Sequence, residues 1–154
     1  MIKDIKLKLT IIHCIIPLFL GGLFYVLFRS TELRMFDWYS YLGLENLIYF
    51  LREVFSHFNH YLPYWVLYSL PDGLWVYSFT SALLIIWQSR LTIWLSLPLM
   101  SGPFAEIAQL VKFFPGTFDI LDLILTITGF TASCILITHN FSKTIILPKN
   151  GTRG

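Results

Sequence analysis

The sequence predicts an all-α integral membrane protein, in which a bundle of about four transmembrane helices carries an amphipathic helical segment at the outer membrane interface. The chain of 154 residues is 56% hydrophobic and only 13% charged, whereas soluble domains carry about 25% charged residues. Its apolar residues also form runs of about 20 residues, the length that crosses a bilayer core. A soluble fold of this composition would expose large apolar patches. We therefore expect residues 1–154 to form a single membrane domain.

Four apolar segments are predicted to cross the membrane. The first ends in large apolar residues rather than the small residues of a cleavage site, so we interpret it as an uncleaved helix. The second has two alternative starts. A start at Tyr64 places the break at Pro71-Asp72-Gly73 inside the bilayer, whereas a start at Asp72, which we favour, makes that residue an ordinary N-cap. The predicted spans cover about residues 10–28, 64–87 or 72–88, 91–111 and 120–138.

The basic residues predict that both termini lie in the cytoplasm, because Lys and Arg are enriched in cytoplasmic loops. With four spans, seven of the eleven basic residues fall on the side of the termini and four fall on the other side. Of the nine acids, only Asp4 falls on the side of the termini. The expected protein is therefore a multi-pass component of the bacterial inner (cytoplasmic) membrane with an acidic outer face.

The segment 31–63 is predicted to form an outer helical cap of one or two helices that lie in the membrane interface. Its apolar residues recur at helical spacing, and its many aromatic residues are typical of headgroup depth. The simplest interpretation is a cap that only packs on the spans. In the functional interpretation, the cap meets lipid, substrate or a partner. Its binding surface then comprises Trp38, Arg52, His57, His60 and Asp72.

The polar residues at the edges of the third and fourth spans are the main functional candidates, because charged groups in hydrocarbon are costly. Glu106 and Gln109 share a helix face, and Asp119 and Asp122 occupy the first turn of the next helix. The short connection predicts an antiparallel hairpin that brings Glu106 close to Asp122. Two neighbouring carboxylates cannot both stay ionised cheaply, so we expect one of them to be protonated or paired with Lys112 or an outer arginine.

The third span is interrupted just before its glutamate by Pro98, Gly102 and Pro103. A kink at this point is expected to bend the helix around a polar cavity. The structural alternative is that the two aspartates only cap the fourth helix and that the glutamate is a buried, hydrogen-bonded acid.

We expect no metal site, no cofactor and no direct nucleic-acid binding. His57 and His60 are three residues apart, but no cysteine or suitably spaced acid completes a ligand set. His13 is expected to hydrogen-bond between helices, and Cys14 and Cys134 to act as small buried apolar residues. The net charge of +2 is too small, and too little clustered, for a nucleic-acid partner.

The third and fourth spans resemble the VanZ-like family of small bacterial polytopic membrane proteins. That family's pattern is Glu-x-x-Gln, a Pro/Gly turn with an arginine, Asp-x-x-Asp, and then Asn and Gly in the final helix. The corresponding positions are Glu106, Gln109, Gly116, Asp119, Asp122 and Gly129. The arginine is missing and Thr126 stands at the asparagine position, so the acids lack the family's counter-ion. The resemblance implies a bundle of four to five helices and a link to glycopeptide-type antibiotic resistance.

Two classes of function fit these features. The first is a non-enzymatic, oligomeric sensor or anchor subunit of an envelope-stress or anti-phage defence system, which passes an outer-face signal to a cytoplasmic protein partner. In plan it resembles the membrane component of the Kiwa system. The second is a VanZ-like protein that gives glycopeptide-type resistance, or an enzyme or transporter that acts on a lipid-linked cell-wall substrate through interfacial carboxylates. Since no nucleophile–base pair can be identified, we favour the first.

The expected partners are therefore the lipid bilayer, further copies of the chain and a cytoplasmic protein. A homo-oligomer is predicted because small residues in the third and fourth spans would allow close helix packing between copies. These residues are Ser101, Gly102, Ala105, Ala108, Gly129, Ala132 and Ser133.

Overall fold

A computed structural model describes residues 2–31, 34–113 and 118–146, and within these ranges the chain is helical and contains no β-strand. The predicted all-α class is therefore confirmed for this part of the chain, while Gly116 of the family pattern lies outside it. The helical elements are α1 (Ile2–Thr10), a π-helical turn (Ile11–Ile15), α2 (Ile16–Phe28), α3 (Arg34–Tyr41), α4 (Glu45–Phe55), a 3-10 helix (Ser56–His60), α5 (Tyr64–Tyr68), α6 (Leu70–Ile86), a short 3-10 helix (Ile93–Leu95), α7 (Ser96–Ser101), α8 (Pro103–Leu110) and α9 (Ile120–Ile146).

Residues 2–28 form one continuous helical rod that begins before the predicted first span. A π-helical turn interrupts the rod ahead of Pro17, because proline has no amide hydrogen and its ring clashes with the carbonyl four residues earlier. In this turn, the Cys14 carbonyl accepts a hydrogen bond of 2.7 Å from the Ser78 hydroxyl of α6. The irregular turn therefore provides a polar attachment between the rod and α6.

Helices α6 and α9 form the centre of the bundle and run parallel to each other. A Cβ atom added to Gly73 would lie 2.9 Å from the Leu125 carbonyl oxygen, and Gly129 in turn packs on the backbone of Gly73. Further along both helices, the fully buried hydroxyls of Ser81 and Ser133 are hydrogen-bonded at 2.8 Å. At the contact between Gly73 and Gly129, only glycine permits such a close approach of two backbones.

These contacts occupy several of the small residues that were expected between copies of the chain. Gly129 and Ser133 face α6 of the same chain. Gly102 faces Val76, whose Cγ2 would lie 2.7 Å from an added Cβ. These three residues therefore pack within the chain, and the prediction of a homo-oligomer loses this part of its support.

The rod runs antiparallel to α6. Gly21 lies against Trp75 near the start of α6, whereas Cys14 contacts Ser78 one turn further along α6. The rod thus runs in the direction opposite to that of α6 and α9. Two transmembrane segments that follow each other in the chain would have this arrangement.

The predicted third span consists of two helices, α7 and α8, that meet at Gly102. Pro103 opens α8, and Gly102 has φ −112° and ψ −93°, which lies outside the helical region. The interruption predicted before Glu106 is therefore confirmed. Because the Asp119 amide donates to Glu106 Oε2 at 3.4 Å and Gly102 packs on Thr126, α8 and α9 form the predicted antiparallel hairpin.

The second predicted span begins at Tyr64, as α5, but is broken at Ser69 before α6. Ser69 is the N-cap residue of α6, and Pro71 and Asp72 lie in the first turn. The favoured prediction that Asp72 is the N-cap is therefore wrong. The helix begins earlier because a proline is tolerated in the first turn, where its missing amide hydrogen would have had no partner.

Among the described residues, two helices are long and apolar enough to cross a membrane: Lys6–Phe28 and Ile120–Ser142, of 23 residues each. Only 22% of the most apolar window of the first helix and 17% of that of the second is buried. Neither is therefore enclosed as the core helix of a soluble domain would be. The apolar helix α6 is shorter, with 17 residues.

The segment 31–63 contains α3, α4 and the 3-10 helix that follows. Ile48 of α4 is buried, and Arg52 one turn later is half-buried with its guanidinium directed at the end of α2. The spacing of the sequence had placed Arg52 on the polar face with the histidines. Its inward position follows from the orphan carbonyls at the C-terminus of α2, which attract a donor.

Candidate functional site

A cleft of about 440 Å³ lies between α2, α6, the break between α7 and α8, and α9. We name it the acidic cleft after its two carboxylates, Asp72 and Glu106. Of the predicted polar site, Glu106 and Gln109 line the cleft, together with Asp72, which had been assigned to a separate outer surface. Its lining residues are Leu18, Asp72, Trp75, Val76, Phe79, Ser101, Gly102, Ala105, Glu106, Gln109 and Thr126.

Two glycines bring these side chains together. Gly73 lets α6 approach the α9 backbone directly after Asp72, and Gly102, four residues before Glu106, lets the break between α7 and α8 pack against Thr126. These close approaches on two different helices place Asp72 and Glu106 at one cleft. The bend also creates the cavity, as the interrupting residues of the third span predicted.

Arg29, at the end of α2, holds Asp72. Its Nη2 atom lies 3.3 Å from Asp72 Oδ2 and donates to the Tyr68 carbonyl at 2.7 Å. The guanidinium also lies over the rings of Tyr25 and Tyr68, 4.8 Å and 5.3 Å from their centroids, where the ring faces attract a cation. Arg29 is thus an outer arginine that serves as a counter-ion, but the carboxylate that it pairs with is Asp72, whereas the prediction concerned Glu106 and Asp122.

Arg52 of α4 fixes the backbone that carries Arg29. Its guanidinium donates to the Val26 carbonyl at 2.7 Å and to the Arg29 carbonyl at 3.0 Å. Val26 lies in the last turn of α2 and Arg29 directly follows this helix, so neither carbonyl has a helical partner. The segment 31–63 is therefore connected to the acidic cleft through two arginines in series.

The carboxylates of the α8–α9 hairpin differ in their contacts. Asp119 Oδ1 accepts a hydrogen bond of 2.8 Å from the Leu121 amide and so caps α9, as the structural alternative predicted for this residue. Glu106 accepts from the Asp119 amide. Asp122 Oδ1, in contrast, is inaccessible to solvent and has no hydrogen-bond partner among the described residues. Capping of α9 therefore does not explain the presence of a carboxylate at Asp122.

The acids near the cleft form one electrostatic group. Asp72 interacts with the charges of Arg29, Asp122 and Glu106, and Glu106 interacts with those of Asp122 and Asp119. Four carboxylates thus share one guanidinium, that of Arg29, among the charges that act on Asp72 and Glu106. Partly buried carboxylates without a cation are unfavourable, so the group is suited to receive a positively charged ligand.

The remaining predicted site residues lie elsewhere. Lys112 is exposed in the turn after α8, with a left-handed φ of 58°. Trp38 on α3 is 67% exposed, and His57 and His60 are exposed on the 3-10 helix after α4. Arg52 faces α2 and Asp72 lines the acidic cleft. Three of the five residues of the predicted outer surface are therefore exposed, and these two face the interior of the bundle.

No group of three His, Cys, Asp or Glu side chains that could hold a metal ion occurs within residues 2–31, 34–113 and 118–146. Cys14 and Cys134 are both free thiols. His13 is paired through Nδ1 with the Tyr77 hydroxyl, so it connects the rod to α6 as predicted for an interhelical histidine.

Sequence reasoning did not identify the aromatic setting of Arg29. Tyr25 precedes Arg29 by four residues, and Tyr68 precedes Asp72 by four residues. Each pair is thus one helical turn apart, at the ends of two segments that become neighbours. Each pair combines a tyrosine with a charged residue, and the two charges are opposite. This pattern was the available sequence signal for an ion pair that is flanked by two aromatic rings.

Comparisons with protein-family models, with curated proteins and with solved structures found no match for this chain.

Proposed function

We propose that this chain is a non-enzymatic subunit of the bacterial inner membrane whose acidic cleft binds a positively charged group at the outer face. In this proposal it acts as a sensor or anchor of an envelope-stress or anti-phage defence system and passes the binding signal to a cytoplasmic partner. The observation that carries the proposal is the convergence of Asp72 and Glu106 on one cleft, where Arg29 is the cation that the described part of the chain pairs with Asp72.

The proposed topology is four spans with both termini in the cytoplasm. Its support is the direction of the helices: the rod and α8 run opposite to α6 and α9, as alternate crossings require. The acidic cleft then lies at the outer end, where α2 ends and α6 begins. The positive-inside distribution of Lys and Arg supports the same orientation.

Ligand chemistry follows from the charge and the donors available. An ammonium group offers hydrogen-bond donors and a positive charge, and the two carboxylates that line the cleft are Asp72 and Glu106. A cation bound beside them would therefore offset repulsion among the carboxylates. Nothing in this arrangement requires a covalent step.

Signal transfer is proposed to use the two arginines. Because Arg29 holds Asp72 and Arg52 holds the Arg29 carbonyl, a ligand that competes for Asp72 changes the contacts of α4. The parallel pair of α6 and α9 extends from the cleft towards the proposed cytoplasmic side, where a partner protein would be met.

The test is stabilisation of the purified protein by methylammonium, with potassium at equal concentration as the salt control. A ligand that binds only the folded state raises the unfolding temperature. We expect a larger rise with methylammonium for the wild type and for Glu53→Gln, which alters an exposed acid of α4. Glu106→Gln and Asp122→Asn should remove the difference. An unchanged difference in both of these variants would exclude the cleft as the cation site.

A second candidate is a VanZ-like role in glycopeptide-type resistance, or an enzyme or transporter acting on a lipid-linked cell-wall substrate. It is favoured by one observation: Glu106, Gln109 and Thr126, three positions of the family pattern, line the same cleft. Expression in a glycopeptide-sensitive host should then raise the inhibitory concentration, and Glu106→Gln should abolish that rise. An equal inhibitory concentration with and without the chain would argue against this role.

A further inference from the structure

We propose that the ligand of the acidic cleft is an amphiphile, an alkyl chain with an ammonium headgroup, and that its chain lies in an apolar groove beside the cleft. This inference rests on the proposed cation binding and specifies the class of ligand.

The groove, which we name the α2 groove, has a volume of about 420 Å³ and lies along α2, α3 and α6. All but one of its lining side chains are apolar or aromatic without charge, and the remaining position is a glycine. The lining residues are Leu18, Phe19, Gly22, Leu23, Val26, Tyr39 and Trp75.

The α2 groove and the acidic cleft are adjacent. Leu18 and Trp75 line both of them, so the two cavities meet at these side chains, and Leu18 is 52% exposed. Carboxylates and an apolar groove therefore lie side by side, which is the pattern of an amphiphile.

Charge complementarity selects the headgroup. In the group of four carboxylates and Arg29 the acids outnumber the cation, so an anionic headgroup is repelled and an ammonium headgroup is attracted. The apolar groove contributes shape rather than a hydrophobic driving force, because a chain in lipid is already out of water. The ammonium headgroup therefore determines the specificity of binding, and the shape of the groove limits which alkyl chains can bring a headgroup to the cleft.

Gly22 provides a direct way to close the groove. A Cβ atom at Gly22 would meet nothing within 4 Å, so the helix tolerates a side chain there. Gly22→Trp would place an indole in the α2 groove and leave Asp72 and Glu106 untouched. The matched control is Ile16→Trp, since Ile16 is exposed on the same helix and lines neither cavity.

The experiment measures dodecylammonium binding by calorimetry to the protein in phosphatidylcholine nanodiscs, with empty nanodiscs as the blank. Because partition into lipid is the same for every variant, differences report on the protein. We expect Gly22→Trp to weaken binding on the order of tenfold, Ile16→Trp to bind as the wild type does, and dodecyl sulfate not to bind. Gly22→Leu is the second variant if the tryptophan variant does not fold.

The outcomes separate this inference from the proposed function. If Gly22→Trp binds dodecylammonium as tightly as the wild type does, or if dodecyl sulfate binds equally well, the amphiphile inference is wrong. Methylammonium stabilisation that still depends on Glu106 and Asp122 would then leave the proposed cation site intact. If methylammonium did not stabilise the wild type, both the amphiphile inference and the proposed cation site would be overturned.

Discussion

Arg29 Nη2 lies 3.3 Å from Asp72 Oδ2, so an ion pair joins the end of α2 to the first turn of α6 at the edge of the acidic cleft. The two side chains are only 24% and 29% exposed, and two tyrosine rings flank the guanidinium. A pair in this setting is less screened than one at the surface. It therefore affects both the stability of the bundle and the charge of the cleft.

Removal of Arg29 should destabilise the protein. In Arg29→Met, Asp72 loses its cation and the Tyr68 carbonyl loses its donor, which we expect to cost about 1–3 kcal/mol. Arg29→Met combined with Asp72→Asn should recover part of the loss, because no uncompensated carboxylate remains. The measurement is thermal unfolding in one detergent, with Arg90→Met, at an exposed arginine after α6, as the control. Equal unfolding temperatures for Arg29→Met and the control would contradict a stabilising ion pair.

The sequence predicted part of this site for identifiable reasons. Glu106 and Gln109 were recognised because helical spacing places them on one face, and the interrupting Pro98, Gly102 and Pro103 predicted the bend beside them. The pairing of Arg29 with Asp72 could not be deduced in the same way. It depends on how closely the rod and α6 approach at Gly21, where an added Cβ would lie 2.6 Å from Trp75 Nε1.

The start of α6 was mispredicted for a related reason. Pro71, Asp72 and Gly73 are typical of a helix start, and local signals alone favour Asp72 as the cap. In the structure, Ser69 precedes the first turn, and Gly73 instead serves the contact with Leu125. A tertiary contact therefore explains why position 73 is a glycine. Local sequence patterns do not show which distant residue will become its neighbour.

Gly129→Ala should destabilise the packing of α6 on α9. The added methyl group would overlap the Gly73 carbonyl oxygen, and overpacking of this kind costs about 1–3 kcal/mol. Gly22→Ala is the matched control, because its Cβ meets nothing within 4 Å and alanine is favoured over glycine in a helix by about 1 kcal/mol. Denaturation of both variants should thus show opposite shifts. A neutral Gly129→Ala would mean that the two helices are further apart than described.

Asp119→Asn should have a smaller effect on cation binding than Glu106→Gln or Asp122→Asn. Asparagine caps a helix about as well as aspartate, so the hydrogen bond to the Leu121 amide can be retained. Asp122 Oδ1 has no such partner within the described residues. Methylammonium stabilisation should therefore persist in Asp119→Asn and fail in the other two. Loss of stabilisation in Asp119→Asn alone would reverse the assigned roles.

The proposed topology predicts the activity of alkaline phosphatase fusions, since this enzyme is active only outside the cytoplasm. A fusion after residue 154 should be inactive, and a fusion within 31–60 should be active. The reason is that an even number of crossings returns the chain to the side on which it began. Immunoblots should show equal amounts of both fusions. Strong activity of the C-terminal fusion would require an odd number of spans.

A homo-oligomer is the final prediction, and its support has moved from the spans to the segment 31–63. Gly102, Gly129 and Ser133 are occupied within the chain, and in the proposed topology lipid would cover the exposed apolar residues of the rod, such as Phe19. Trp38 is 67% exposed on α3, and aromatic residues are enriched in the cores of protein interfaces.

Native mass spectrometry from a mild detergent should show an assembly whose population falls in Trp38→Ala. The control is Trp94→Ala, because Trp94 is also half-exposed but lies after α6, at the opposite end of the bundle. A shared interface at Trp38 would place the acidic clefts of neighbouring copies on the same side of the membrane, because closed symmetry about one axis normal to the bilayer keeps all copies in one orientation. A monomer at every protein concentration, without any partner present, would exclude the oligomer.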